Sequence, residues 1–341
     1  MNKIPVTILV GFLGAGKTTL LNHIIASNSD ENIVVIENEF GEIGIDKGLV
    51  VGVDNKVFEL NNGCICCNLN DDLLELLSQI VEKNVAMTHL IIETTGMADP
   101  GSVILNFLHN ESIQSQFKLN AVIALVDAQF VEQQLENQIE AVKQISLADI
   151  ILINKIDSVE PYQIDVVKNI VTRLNAQAQI FETTFGKLKD IDLLNLNTFD
   201  ADIVNETLNK KVVPNSRFVV NKTSLSEKPQ ASMLLPKTVK HSNVTSFSFI
   251  IPEPLDFMKF EMWVNLIFNL YPNQIYRMKG VLNFQHFEQK VIFQSVYNQQ
   301  FSTQGDLWAD TESRESRLVI IGNSLNKQMF LDCIEQIIVV E

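Results

Sequence analysis

"VTILVGFLGAGKTTLLNHIIAS", residues 6 to 27, decides how the chain begins to fold. "VTILVG" is a near-continuous apolar run, the composition of a parallel strand covered on both faces. "KTTLLNHIIAS" carries apolar residues at helical spacing and follows almost at once. Between them "GFLGAGKT", Gly11 to Thr18, matches the glycine-rich phosphate-loop pattern in the strand-then-helix context that the pattern requires. Glycines let backbone N–H groups turn inward around phosphate oxygens, and the helix N-terminus adds a favourable partial charge. The expected phosphate cradle comprises Gly11, Gly14, Ala15, Gly16, Lys17, Thr18 and Thr19. Lys17 is expected to bridge the β- and γ-phosphates, and Thr18 to offer its hydroxyl to magnesium.

Outward from this stretch, "NIVVIEN", "HLIIETTG", "AVIALVDA" and "DIILINKID" read as further buried strands. "DDLLELLSQIVEK" and "FVEQQLENQIEAVKQISLA" read as helices between them. This alternation predicts a doubly wound α/β domain with a mainly parallel sheet, over residues 1–206. Residues 207–243 change to prolines, serines and lysines without apolar periodicity and read as a linker. From 244 to 341 the pattern is that of a smaller α+β domain. "VTSFSFII", "IYRMKGVLNF", "KVIFQSVYNQQF" and "SRLVIIG" read as strands, "FMKFEMWVNLIFNL" and "NKQMFLDCIEQII" as helices.

The 341 residues are 46% hydrophobic and carry a formal net charge of −15. That length suits about two domains. The charge argues against nucleic acid or an anionic membrane surface as a partner. No apolar stretch is long and clean enough to span a bilayer. The apolar N-terminal run superficially resembles a signal peptide but leads straight into the phosphate loop. Together with unpaired cysteines this predicts a cytoplasmic protein.

Three further stretches carry chemistry. "NKID" places Asn154, Lys155 and Asp157 at a strand end. A carboxylate at Asp157 can accept from the two N–H groups on one edge of guanine, whereas adenine presents the opposite polarity there. Asn154 can bond the base and the neighbouring loop, and the Lys155 stem can cover the ring. "HLIIETTGMADP" puts Glu93 at a strand tip on the magnesium side, with Gly96 free to approach a γ-phosphate. "IENEFGEIGID" carries Glu37, Glu39, Glu42 and Asp46 around two glycines. It is either a solvated acidic loop or a switch segment whose carboxylates orient magnesium or the attacking water. Lys17, Glu37 and Glu93 form the candidate catalytic set.

"NNGCICCNLN", residues 61 to 70, crowds three of the four cysteines together. Cys66 and Cys67 are adjacent and poorly placed for a relaxed disulfide, and three thiols leave one over. Clustered thiolates on a polar turn suit zinc or copper(I). Cys333, in contrast, lies among apolar neighbours and reads as core. The five histidines are scattered without ligand spacing, and His89, ahead of a buried strand, reads as structural.

Taken in order, "PVTILVGFLGAGKTTLLN", "ENEFGEIGID", "GCICC", "ETTGMADP" and "NKID" resemble the CobW-like GTPases, metallochaperones related to the urease and hydrogenase nickel-insertion GTPases. "RMKGVLNF", "FQSV" and "RESRLVIIG" resemble that family's C-terminal domain. Within that family the chain resembles the zinc-regulated GTPase metalloprotein activators. The resemblance implies hydrolysis of GTP with Mg2+, coupled to handling of Zn2+ or a similar ion such as Co2+ by Cys64, Cys66 and Cys67. It implies client metalloproteins as partners. Glu37 and Glu42 match acidic positions that the family places near nucleotide and metal, which makes Glu42 a candidate fourth ligand. The histidine-rich tract of many members is missing, with only His241 in the corresponding segment. Two alternatives stay open: a GTP-responsive metal sensor or buffer without transfer, and delivery of cobalt or iron to cobalamin synthesis or nitrile hydratase.

Overall fold

The computed structural model describes residues 3–37, 57–59, 69–82, 85–188, 191–211 and 243–339. The first part alternates strands and helices: β1 (Ile4–Gly11), α1 (Lys17–Ser27), β2 (Ile33–Glu37), β3 (Val57–Glu59), α2 (Leu69–Glu82), β4 (His89–Glu93), α3 (Pro100–His109), α4 (Glu111–Gln116) and β5 (Phe117–Asp127). It continues through α5 (Val131–Asn137), α6 (Ile139–Leu147), β6 (Ile150–Asn154), α7 (Pro161–Leu174), β7 (Gln179–Glu182) and α8 (Ala201–Lys211). The seven strands form one parallel sheet in the order β3-β2-β4-β1-β5-β6-β7. Both faces of β1, β5 and β6 are covered, so their Val, Ile and Leu runs are buried throughout. From β1 the chain runs to β2 and β3 on one side, returns to β4 beside β1, then crosses β1 to β5 and steps outward through β6 and β7. That reversal leaves a crevice at the carboxyl ends of the central strands.

The chain past β7 still belongs to this layer. Asn120, buried in β5, donates to Thr7 Oγ1 at 2.8 Å and to the Leu193 carbonyl at 3.0 Å, and accepts from the Asn197 amide at 2.7 Å. Leu193 and Leu194 are thereby held in the core beneath α1. His89 is buried with Nε2 3.1 Å from the Leu194 carbonyl, a structural placement as its sequence context suggested.

The second part comprises β8 (Val244–Ile251), α9 (Phe257–Leu270), β9 (Ile275–Leu282), β10 (Gln289–Val296), β11 (Gln299–Leu307), β12 (Ser316–Asn323) and α10 (Lys327–Ile334). Its five strands are antiparallel in the order β11-β10-β9-β12-β8. An aromatic core of Phe247, Phe249, Phe260, Trp263, Phe293 and Phe330 lies between one face of this sheet and α9 and α10. The other face meets α8, through Val204 and Leu208 against Val281, Ile292 and Val319. The sheet also reaches the first domain: Arg277 and Lys279, two apart on β9, are buried against Asp149.

Several elements differ from expectation. "FVEQQLENQIEAVKQISLA" is two helices, because Gln138 is extended (φ −132°). The break resets the phase so that Val131 and Leu135, then Val142 and Ile145, all turn inward. "KVIFQSVYNQQF" is a hairpin with Tyr297 and Asn298 at the turn, since Val296 pairs with Gln299. β7 is a short edge strand with no fully buried residue, too little apolar signal to register. α8 runs through the expected boundary at residue 206, because its apolar residues pack on the second sheet. Among the described residues no helix is long and apolar enough to cross a membrane.

Candidate functional site

The crevice is built from the loops that leave β1, β4, β6 and β7. After Gly11 the chain turns through Phe12 to Gly16 and enters α1 with Gly16 as its cap, at φ 104° and without a side-chain cap bond. First-turn N–H groups of such a helix look outward for an acceptor. Gly16 is required twice over: its φ is left-handed, and a Cβ would come within 2.4 Å of the Asn154 amide nitrogen. Gly14 also has positive φ but faces open space, the shape of a cradle rather than a packed turn. The Lys17 side chain is buried and folds back, Nζ donating to the Gly11 carbonyl at 2.9 Å.

Register brings the acids together. Leu9 on β1 pairs with Glu93 on β4, and Glu93 pairs with Glu37 on β2. Glu37 pairs in turn with Glu59 on β3. Glu37 and Glu93 therefore end adjacent strands, with the Glu59 backbone in register one strand further from the phosphate loop. Thr18 Oγ1 lies 3.4 Å from Glu93 Oε1. A hydroxyl and a carboxylate so placed are hard oxygen donors of the kind magnesium takes. The residues present fit that ion. Gly96 lies against the phosphate loop: a Cβ there would approach the Leu13 nitrogen to 2.5 Å.

Asn154 ties three loops to one another. Its Nδ2 donates to the Ala15 carbonyl at 2.8 Å, and its Oδ1 accepts from the Gly186 amide at 3.3 Å. Lys155 follows in left-handed conformation (φ 61°), and its Nζ is paired to Asp127 Oδ2 at 2.7 Å. Asp157 is exposed on the 3₁₀ turn Ile156–Ser158. The sequence-predicted phosphate loop, the Glu37–Glu93 pair and Asn154–Asp157 thus border one crevice.

Three contributors escaped sequence reading. Asp127, buried at the end of β5, orients Lys155; its only local signal was a carboxylate closing an apolar strand, and β5–β6 register pairs it with Asn154. The Thr183–Lys187 loop walls the far side, where Gly186 (φ 68°) packs against Leu20. Gln144 of α6 donates to the carbonyls of Gly96 and Ala98 at 3.1 and 3.0 Å. Neither of the last two carries a local motif. Glu39, Glu42, Asp46, Cys64, Cys66 and Cys67 lie outside the described residues. Among the described residues no cluster of three or more His, Cys, Asp and Glu could hold a metal ion. Cys333 is half-buried beside the aromatic core.

Comparison with known proteins adds to this geometry. The profile of the CobW/HypB/UreG nucleotide-binding domain matches residues 5–182, and that of the cobalamin synthesis protein CobW C-terminal domain matches residues 244–337. The chain is 33% identical over 333 residues to the zinc chaperone YjiA of Escherichia coli (strain K12), covering 96% of each. It is 33% identical over 207 residues to the zinc-regulated GTPase metalloprotein activator 1 of Schizosaccharomyces pombe, covering 58% of this chain and 50% of that one. The crystal structure of Zn(II)-bound YjiA GTPase from E. coli superposes with a TM-score of 0.72 at 28% identity, over 99% of both chains.

Proposed function

The chain belongs to the CobW/HypB/UreG family, and from that premise we propose that it is a GTP-hydrolysing metallochaperone, passing zinc or a similar ion from Cys64, Cys66 and Cys67 to client metalloproteins. The observation that carries this reading is the register of β3, β2 and β4. Glu37 and Glu93 end adjacent strands on the phosphate-loop side of the sheet, and the Glu59 backbone is in register with Glu37 one strand further out. The chain leaves β3 at Glu59, five residues before Cys64, and resumes as α2 at Leu69, two after Cys67.

On this reading the backbone of Gly11 to Gly16 and the α1 N-terminus hold the phosphates, and Lys17 turns its ammonium from the Gly11 carbonyl to a charged oxygen. Thr18 and Glu93 would hold magnesium, which supplies neutralising charge to the phosphate oxygens. Glu37, abreast of Glu93, is the candidate for positioning the attacking water. Asp157 accepts from the guanine edge, Asn154 braces the loops, and Lys155 is steered by Asp127. Loss of the γ-phosphate removes contacts that order the "NEFGEIG" segment, and the metal ligands loosen with it. With Glu42 or water as a fourth ligand the thiolate site stays open to transfer.

Cobalt(II) substitution tests this, because thiolate ligation gives intense near-ultraviolet charge-transfer bands. The bands are expected to be stronger with a non-hydrolysable GTP analogue than with GDP, and sharply reduced by Cys66→Ser. A serine hydroxyl keeps its proton near neutral pH and is a poor ligand for a borderline-soft ion. Full-strength bands after replacement of all three cysteines would remove the site. Bands indifferent to the nucleotide would make the protein a metal buffer.

A further inference from the structure

Among the described residues, polar contacts between the two domains include two clusters. One is the buried cluster of Asp149, Arg277 and Lys279, remote from the crevice. The other is the tip of the β10–β11 hairpin, and it reaches the loop that follows β4. There Tyr297 adopts φ 52°, a left-handed conformation that is a real outlier for a bulky side chain. Such a conformation persists where the surroundings over-determine it. The Tyr297 phenol donates to Asp99 Oδ1 at 2.6 Å, and the same oxygen accepts from the Gly101 amide at 2.9 Å. Asp99 Oδ2 accepts from Lys143 Nζ at 2.7 Å. The ring is seated on the first turn of α3: a Cβ on Gly101 would come within 2.1 Å of it. Burial, then the neighbouring Asp99 carboxylate, push the phenol far above its usual range, so it remains a donor.

Asp99 lies three residues after Gly96. The loop between them is held in sequence: Thr94 N donates to the Leu9 carbonyl at 3.0 Å, and Gln144 holds the Gly96 and Ala98 carbonyls. Lys143 and Tyr297 then hold Asp99. Every one of these tethers except Tyr297 comes from the nucleotide domain. A loop that must approach the γ-phosphate at one end is therefore gripped by the C-terminal domain at the other.

We infer that Tyr297 is a positioning residue for the nucleotide site, fixing the Gly96 loop through Asp99 and making the C-terminal domain sensitive to whether the γ-phosphate is present. The inference rests on the function proposed above, in that the crevice takes GTP. Coupling of this kind is reciprocal: what the nucleotide does to the hairpin, the hairpin does to nucleotide preference.

Tyr297→Phe removes one hydroxyl and leaves the ring. In the nucleotide-free protein it is expected to raise amide exchange across residues 94–101 by about fivefold or more, the lower end of ordinary coupling. It is also expected to lower kcat and raise KM for GTP, and to shift the ratio of GTP-analogue to GDP affinity by about fivefold. In an Asp99→Ala background the same change should add nothing, because the contact is already gone. Wild-type exchange at 94–101 and an unmoved affinity ratio in Tyr297→Phe would overturn the inference. A wild-type protein that releases no phosphate from GTP would instead remove the functional reading, and the exchange measurement would still decide whether Tyr297 holds the loop.

Discussion

Lys17 shows how much a single side chain can contribute at this crevice. Its ammonium now bonds a neutral carbonyl, that of Gly11. A phosphate oxygen in its place is a charged acceptor, roughly twice as strong a partner. The gain grows as charge develops on the transferred group, and groups that stabilise such charge are each worth about 3 kcal/mol. Lys17→Ala is accordingly expected to slow phosphate release from GTP about a hundredfold. Turnover within a few-fold of wild type would take the phosphate loop out of the chemistry. Lys17, Asn154 and Asp157 were legible in the sequence because each lies in a contiguous motif whose spacing is its own signature. Asp127 and Gln144 were not. Each works through a contact with a residue 28 or 48 positions away, and only strand register and helix packing create those contacts.

At the scale of elements, long regular pieces declared themselves and short or interrupted ones did not. α1 and α9 run over the stretches expected from apolar spacing, Lys17–Ser27 and Phe257–Leu270. Each buries one stripe against a sheet, the arrangement that makes helical period visible. The β10–β11 hairpin was hidden because its turn is Tyr-Asn rather than Asn-Gly, and the tyrosine both takes the positive φ of the turn and reaches Asp99. The junction of β4's loop with the phosphate loop offers an element-scale test. Gly96→Ala places a methyl 2.5 Å from the Leu13 nitrogen, which forces two loops apart without touching either sheet strand. Overpacking of this sort costs about 1–3 kcal/mol. Loss of GTP turnover of about tenfold or more is expected, with GDP binding largely kept, since GDP has no γ-phosphate for that loop to meet. Equal loss of GDP and GTP affinity would mean that the loop supports the whole crevice instead.

For the whole molecule, the question is what makes two domains one body. Asp149 is fully enclosed and accepts from Arg277 at 2.7 Å, Lys279 at 2.6 Å and the Val122 amide at 3.0 Å. Arg277 also donates to the Leu147 carbonyl, and both cations lie over the Phe199 ring, at 4.9 and 5.2 Å. Burial raises the Asp149 carboxyl, but Arg277, Lys279 and the hydrogen bonds outweigh it and hold the group below its ordinary value. Burial, then Arg277, press Lys279 down to about 8 against the pull of Asp149. Two cations on one carboxylate leave the interface poised. Asp149→Asn strands both, a type of change that costs about 3–5 kcal/mol. The signs with pH follow from the directions. The Asp149 contribution is complete above its ordinary value of 3.8 and is lost as pH falls through the lower folded value, so wild type and variant should converge in strong acid. Lys279 acts in the alkaline range: between about 8 and its ordinary 10.5 the unfolded chain keeps a proton that the folded chain releases, so stability rises with pH there. Denaturant midpoints across a pH series, followed separately by nucleotide-site and C-terminal probes, check this. The two probes are expected to coincide in wild type and to separate in Asp149→Asn at neutral pH, with the C-terminal domain released first. A variant whose midpoint and pH profile match wild type would show that apolar packing around α8 joins the domains without the charges.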